Sequence, residues 1–596
     1  MGSKFFVELK RRNVFRAAAL YAASAWLLVQ VATQVFPFFH IAEWLVRWIV
    51  VAAVIGFPFW LLGAWFYEWT SHGLQREQPA APLPPEQRAY RRNTDRWIIA
   101  MLAVAVVSLL TDKFVRRERP EENAAISEKS IAVLPLINSS GDAANEYFSD
   151  GMSEEFISTL SRLHELKVIG RSSSFQFKGK NESSKTVGEK LGVYYLLEGS
   201  VRKSAGRVRI AVALVKASDG ANVWSETYDR DLKDIFAVQS EIAGAVAKEL
   251  KVALLGNNGQ TAAELATAST PSNQDVAAYN ALLQGNFYNN RNTAEDTRKS
   301  IGYYEEAIRL DSRYALAYAK LSVAARNLTV GYGSIGTEEI KAATAKARAS
   351  AQRALSLDPN LAEAHSAEGL VLKDIDFNFV GAENEYRRAL ALAPNNPTVI
   401  SSLANLVAEL GSLDEAVTLA QRAIALDPLR TQPRFNLALY LIALSRYDDA
   451  ETAMRKTVAL QPESAQNYLW LAIVQMLRGN PRIAVDLAKR ETDAFWRTFG
   501  LALTQFANGE RVEADAALQK LIAEDADDAG SQIAQVYALR REPEKMFEWL
   551  EHAWATHDVG VTEVLSNPFL RAYKNDPRFI TFAQKVGVIP KAASSP

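Results

Sequence analysis

The spacing of hydrophobic positions divides the chain into three stretches. Residues 17–39 (AAALYAASAWLLVQVATQVFPFF) and 48–67 (WIVVAAVIGFPFWLLGAWFY) carry no charge. At 1.5 Å per helical residue the first run is about 35 Å long, enough for a hydrocarbon core of about 30 Å. Trp44, Trp48, Trp65, Tyr67 and Trp69 gather at the ends of the second run, where amphipathic rings favour the headgroup level. A shorter apolar run from Trp97 to Thr111 reaches spanning length only with Phe114, Val115 and snorkelling Arg96 and Lys113. Beyond residue 130 the pattern turns to short strands: Ser130–Leu136, Leu166–Gly170, Tyr194–Arg202, Arg207–Lys216 and Asn222–Tyr228. Val208, Ile210, Val212 and Leu214 alternate with less apolar neighbours, which predicts one buried face. Helices are predicted from Ser153, with Glu154 and Glu155 in the first turn, and over Lys185–Leu191 and Phe236–Leu250. From residue 275 onwards the period is helical throughout.

The C-terminal half repeats. Pro359, Pro394, Pro428 and Pro462 close four similar phrases, RALSLDP, RALALAP, RAIALDP and KTVALQP, at spacings of about 34 residues. A helix–turn–helix unit of that length, ended by proline, is the tetratricopeptide repeat. Leu403 and Ala404 fall in a first helix, and Ala416, Ala420 and Ala423 in the second, where small side chains let the pair approach closely. An earlier unit ends at Asp311-Ser312, with an insertion near Gly331–Thr337 before the next. After Pro462 the pattern decays, with Trp496 where proline would stand, and one or two degenerate repeats are expected. Phe569, Leu570 and Phe579 are expected to cover the last apolar face.

These segments resemble known proteins. SIAVLPLINSSGDAANEYFSDGMSEEFISTLSRL, VIGRSSSFQFKG and LGVYYLLEGSVRKSAGRVRIAVALVKASDGANVWSETYDRDLKDIFAVQSEIA look like the TolB-like amino-terminal domain, from Ile131 to about Leu250. FFVELKRRNVFRAAALYAASAWLLVQVA with FYEWTSHGLQRE is similar to the membrane region of proteobacterial proteins that join three spans, a TolB-like domain and tetratricopeptide repeats. The resemblance implies an interaction module without an assigned active site, and likeness to the periplasmic parts of fused regulators and nucleotide cyclases. No winged helix or cyclase precedes the spans, so an output would need a separate partner.

The expected fold is therefore multidomain: N-terminal transmembrane α-helices, a small α+β domain and a C-terminal all-α repeat superhelix. The boundaries are a membrane region at 1–116 (spans about 17–39, 46–68 and 97–115), a linker at 117–129 and the TolB-like domain at 130–254. A second linker follows at 255–274, then the repeat array at 275–560 and a cap and tail at 561–596. A basic N-terminus (Lys4, Lys10, Arg11, Arg12, Arg16) could belong to a signal peptide, but the apolar run is too long for one. Basic residues precede the first span, none stand in the first loop, and Arg76, Arg88, Arg91, Arg92 and Arg96 fill the second, placing both basic stretches inside. Three crossings put the soluble part in the periplasm of a bacterial inner membrane; two would put it in the cytoplasm.

Composition removes several chemistries. Lys and Arg total 67 against 68 Asp and Glu, so no chain-wide basic field invites nucleic acid. Without cysteine there is no disulfide, thiolate ligand or thiol nucleophile, and no two of the six His stand four residues apart. No phosphate-binding or nucleophile-elbow motif occurs. Arg171–Ser174 after a strand could serve an enzyme, but a polar turn capping the next element explains it better. Asp142, Asp150, Glu154 and Glu155 could gather a cation, but helix capping and solvated first-turn charge explain them more simply. No cofactor or metal is expected. Protein binding is, through the repeats' concave face: Asn405 stands where some repeat proteins hold a ligand backbone, while Ser401 and Phe435 replace the bases of a carboxylate clamp. Phe435, Leu439, Ile442 and Met476 suit either an apolar groove or packing between repeats. The expectation is a non-enzymatic envelope scaffold with unknown protein partners, open to homo-oligomerisation; the alternative is an envelope signal or small-ligand sensor.

Overall fold

The computed structural model describes Tyr21, Gly56, Phe57, Trp60 and residues 67–70, 73–76, 126–163, 165–204, 206–254, 275–330, 336–556 and 558–588. The chain forms two compact units, 1–124 and 125–596.

In the first unit the ring of Tyr21 lies 5.6 Å from that of Phe57 and 5.9 Å from that of Trp60. Gly56 permits this contact, since a Cβ there would sit 2.4 Å from the Tyr21 hydroxyl. Strands β1 (Tyr67–Thr70) and β2 (Gly73–Arg76) pair as an antiparallel hairpin, from Tyr67↔Arg76 to Thr70↔Gly73. The spans expected at 17–39, 46–68 and 97–115 lie almost wholly outside the described residues. Among the described residues no helix is long and apolar enough to cross a membrane. One boundary is corrected: Tyr67 and Glu68, assigned to the end of the second span, belong to β1. The Tyr-Glu-Trp-Thr sequence, rich in aromatic and β-branched residues, favours the strand.

The second unit opens with a sheet whose strands run in the order β5-β3-β6-β7-β8. Here β3 is Ser130–Val133, β4 Ile137–Asn138, β5 Lys167–Val168, β6 Tyr195–Ser204, β7 Arg207–Lys216 and β8 Asn222–Asp231. β3 runs parallel to β5 and β6, whereas β6, β7 and β8 form an antiparallel meander. Helices α1 (Glu146–Ser161) and α4 (Ile235–Leu254) cover one face around Phe148, Phe156, Ile210 and Ile242. Between them in sequence lie the one-turn α2 (Arg171–Ser174) and α3 (Ser184–Leu191), and α3 covers the other face with Val187 and Leu191. α1 starts seven residues ahead of the expected Ser153. The reason is local: Asp142 Oδ1 accepts from Ala144 N at 2.9 Å and starts a tight turn that feeds the helix. Glu154 and Glu155 consequently sit in mid-helix.

Among the described residues eight helix pairs follow, from α5 (Val276–Asn289) with α6 (Ala294–Leu310) to α19 (Gly530–Arg540) with α20 (Pro543–Ala555). Between them lie α7 (Ala315–Val330), α8 (Thr337–Leu357), α9 (Ala362–Asp374), α10 (Phe379–Leu392), α11 (Pro397–Glu409) and α12 (Leu413–Leu426). They continue as α13 (Thr431–Ala443), α14 (Tyr447–Leu460), α15 (Asn467–Leu477), α16 (Pro481–Ala488), α17 (Ala494–Asn508) and α18 (Arg511–Asp525). These are tetratricopeptide-type repeats. Pro397 begins α11, with Asn396 Oδ1 capping the amides of Thr398 and Val399. Ala416, Ala420 and Ala423 are buried where paired helices meet. Gly285 and Gly369 perform the same service for the buried rings of Tyr304 and Tyr386.

First helices α11 and α15 end on Gly411 and Gly479 with φ of 81° and 84°, the left-handed region. Ser445 occupies the equivalent place in the repeat between them, with φ 61° and an exposed side chain. Ser445→Gly is expected to stabilise the protein by about 0.5–1 kcal/mol, read as a higher denaturation midpoint at unchanged m value.

After α20 the chain forms a short turn (Val559–Glu563), a second (Leu570–Tyr573) and α21 (Pro577–Val586). Phe569, Leu570 and Phe579 are buried in this cap. The cap also reaches back across the superhelix: Leu565 lies over Gly411, Gly587 against Phe377 and Phe379, and the Phe377 and Trp554 rings are 6.4 Å apart. One continuous core runs from Phe379 to Val588. The last repeats therefore close on the third helix pair and border a lumen that stays open to solvent on part of its surface.

Candidate binding lumen and interdomain joint

The first helices of the pairs face inwards and line a cavity of about 790 Å³. Phe435, Leu439, Trp470, Phe495 and Trp496 form its apolar wall. Amide side chains of Asn405, Gln432, Asn436, Gln466, Gln532 and Gln535 are interspersed with them. Of the sequence candidates, Asn405, Phe435 and Leu439 lie on this wall, half-buried. Ile442 does not: it is 1% exposed and packs between repeats, as does Met476. Ile442 follows Phe435 by two turns on the same helix, yet neighbouring repeats cover it completely. Ser401 is buried too, its hydroxyl donating to Pro397 O at 2.7 Å. Asn405 Oδ1 already accepts from Asn436 Nδ2 (2.6 Å) and the Tyr440 hydroxyl (2.5 Å). Those bonds hold the amide in a fixed orientation beside the aromatic wall.

Charge gathers at one side. Lys373 Nζ lies 2.9 Å from Glu409 and 3.4 Å from Asp374, which also pairs with Arg326. Burial would push the Lys373 ammonium down, but Glu409 and Asp374 outweigh it and hold the charge in place. Glu563, on the cap's first turn, lines the lumen with an exposed side chain; the surrounding protein and the nearby Glu409 push its carboxyl up to about 7. The cap residues of this lumen were not among the sequence candidates. A turn in the degenerate C-terminal stretch carries no periodic signal, and only the closure brings it opposite α11.

The α+β domain joins the array in two places. At the first, α5 belongs to both cores: Tyr279 and Leu283 enter the domain's cluster, while Ala278 and Leu282 pack with the repeats. Gln239 Nε2 donates to the Tyr279 hydroxyl at 2.6 Å, and Gly151 on α1 faces Leu283 so closely that a Cβ would lie 2.6 Å from it. At the second, α2 meets the turn after α12. Ser173 N donates to Asp427 Oδ1 at 2.8 Å, the Ser173 hydroxyl donates to the same oxygen, and Leu429 N donates to Ser173 Oγ at 2.8 Å. Gly170 N donates to Leu426 O at 2.8 Å and Gln176 Nε2 to Leu429 O at 2.9 Å. Arg171–Ser174 is thus a joint between domains. Three of the four acids considered for a cation are engaged elsewhere: Asp142 caps a turn, Asp150 holds Lys178 Nζ at 2.6 Å, and Glu154 pairs with Arg171. Among the described residues no group of acids and histidines could hold a metal ion.

Glu155 faces the array from α1. Burial, then Glu154, pushes its carboxyl up to about 7, against the pull of Lys320 and Arg162 and with a further push from Glu363. A carboxyl raised in the folded state binds protons more tightly than in the unfolded chain, so its contribution to stability declines as pH rises from about 4.5 through 7. Water reaching the half-buried side chain reduces the effect to about 1–2 kcal/mol. Glu155→Gln is expected to match the parent at about pH 4, below the unfolded-state value, and to exceed it by that amount at about pH 8 in thermal or urea unfolding.

Comparison with known proteins adds relatives for parts of the chain. Residues 127–244 match the family model described as HilA/YgeH-like transcriptional regulator, second domain. A protein of Rhizobium meliloti (strain 1021) named "Putative adenylate cyclase 3" is 38% identical over 199 residues, 33% of this chain and 33% of that protein. The chain thus spans about a third of the length of that curated relative. Among solved structures, PilF of Pseudomonas aeruginosa is similar at 21% identity and TM-score 0.29, over 36% of this chain and 92% of that one. A tetratricopeptide repeat protein of Parabacteroides merdae is similar at 20% identity and TM-score 0.32, over 39% and 94%. YrrB, described as a TPR protein with an unusual peptide-binding site, is similar at 18% identity and TM-score 0.26, over 36% and 97%.

Proposed function

We propose that this protein is a membrane-anchored, non-enzymatic scaffold of the bacterial envelope that holds a partner polypeptide in the repeat lumen. The observation that carries the reading is the lumen itself, where an aromatic wall alternates with amide side chains. Aromatic rings supply large contact area at small conformational cost, and amides can pair with the backbone of an extended segment. A volume of about 790 Å³ is in the range of sites that enclose a ligand. The joint at Asp427 and the shared α5 make the α+β domain part of the same rigid platform, so that a second surface lies at a fixed distance from the lumen. Membrane attachment rests on the uncharged runs 17–39 and 48–67, and the periplasmic side on the distribution of Lys and Arg.

Crosslinking in native membranes followed by mass spectrometry tests the scaffold. A reproducible polypeptide partner is expected; turnover of a nucleoside triphosphate by the purified protein, with no partner recovered, would contradict the reading. For topology, alkaline phosphatase fused after residue 120 is expected to be active and a cytoplasmic fluorescent reporter dark. The reverse pattern would place the array in the cytoplasm.

A second reading has one specific observation in its favour. The match of residues 127–244 to a domain of transcriptional regulators, together with the relative named for a cyclase, suits a sensor that relays a signal to a separate output partner. A thermal-shift screen that finds one stabilising metabolite, with no crosslinked polypeptide, would favour it.

A further inference from the structure

The lumen is not electrically neutral. Arg326 and Lys373 are its cationic lining residues, set against the acids Asp374, Glu409, Asp528, Asp558 and Glu563. Several of these are satisfied within the protein. Asp374 serves both cations, and Asp558 accepts from the amides of Ser531 and Gly560 at 2.8 Å. Glu409 uses one oxygen on Lys373, but its Oε2 is buried without a hydrogen-bond donor. Glu563 adds a further carboxylate near Glu409. On α19, which packs against the turn that carries Glu563, Gln535 is only 5% exposed, lines the cavity, and leaves its Oε1 unmet by any donor. Buried acceptors without donors are costly, each by an amount comparable with a lost hydrogen bond, and a ligand that supplies donors removes the cost.

A guanidinium is the side-chain group that fits best. It carries five N–H donors in a plane and no acceptor, and it stacks on aromatic faces such as those of Phe435, Trp470 and Trp496 across the same cavity. An ammonium has three donors, a stronger hydration shell and no flat face.

We infer that the lumen recognises an arginine side chain of the partner polypeptide, flanked by bulky apolar residues. Its guanidinium is received by the exposed Glu563 carboxylate, backed by the buried acceptors of Glu409 and Gln535, and its apolar neighbours by the Phe435–Trp470 wall. This rests on the polypeptide-binding reading above and specifies the chemistry of the occupant.

The test uses the full-length protein in detergent micelles and a fluorescein-labelled Leu-Arg-Phe-Leu-Arg-Phe amide as probe, followed by anisotropy. The arginine peptide is expected to bind. Versions with citrulline or lysine in place of arginine are expected to bind at least about tenfold more weakly, since a charge-assisted, multidentate contact is lost. Glu563→Gln is expected to weaken the arginine peptide by about tenfold and to leave the citrulline peptide unchanged. Gln535→Met is expected to act in the same direction, and circular dichroism of both variants checks that the array remains folded. Equal affinity for the arginine, lysine and citrulline peptides, or wild-type affinity in folded Glu563→Gln, would overturn the inference while leaving polypeptide binding intact. Absence of binding by every peptide, with no crosslinked partner in membranes, would instead remove the underlying reading.

Discussion

Replacing Asp427 by alanine should loosen the α+β domain from the array and cost about 2–3 kcal/mol. The carboxylate is 2% exposed and accepts two hydrogen bonds from Ser173, whose hydroxyl in turn receives Leu429 N. Removing it leaves the Ser173 amide and hydroxyl without their acceptor in a buried place. The loss is smaller than the sum of its bonds, because burial pushes this carboxyl up and offsets part of what Ser173 and Arg430 contribute. Ser173→Ala should cost a similar amount, and the double variant little more than either, since all three groups act as one joint. Hydrogen exchange provides the local reading: amides of residues 170–178 should lose protection in either variant, with the helices of the distant pairs α17 to α20 unchanged. Full additivity, or protection unchanged over 170–178, would show that the joint does not hold the domain.

The second large effect concerns the lumen. Changing Phe435 and Leu439 together to alanine should reduce partner capture by about 30-fold, the scale of a hot-spot loss of roughly 2 kcal/mol. Both side chains are half-buried and contribute to the wall as well as to packing. A modest fall in thermal stability is therefore expected beside the much larger fall in binding. Val512, 79% exposed on α18 and not part of the lumen, is the control: Val512→Ala should change neither. Equal loss in both variants would mean that capture does not use the lumen.

How much of this was legible beforehand depends on the range of the contacts. Helix pairing in the array follows from a local period, and the alternation at Val208–Leu214 gives a strand with one buried face for the same reason. The C-terminal closure does not follow from any period. Leu565 and Gly411, or Gly587 and Phe377, are far apart in sequence, and no pattern in either segment names the other. Asp427 shows the same limit more sharply. In RAIALDP it reads as punctuation, and its counterparts Asp311 and Asp358 do cap their own turns, accepting from Arg313 N and Asn360 N. At 427 the same residue type is taken over by a serine 254 positions earlier. Among the candidate groove residues, Phe435 and Leu439 were placed by helical spacing. Ile442 lies only three positions on, and sequence spacing left open whether its face belongs to the lumen or to the next repeat. The start of α1 was missed because its signal is the side chain of Asp142 in a turn, outside any apolar rhythm.

The central claim is that the lumen is where a partner polypeptide sits. The most direct measurement places the photo-crosslinking amino acid benzoylphenylalanine at position 435 in the full-length protein, irradiates native membranes, and maps the products by mass spectrometry beside the same substitution at 512. The account predicts a reproducible crosslinked polypeptide from 435 and none from 512. Crosslinks from 512 with none from 435 would contradict it.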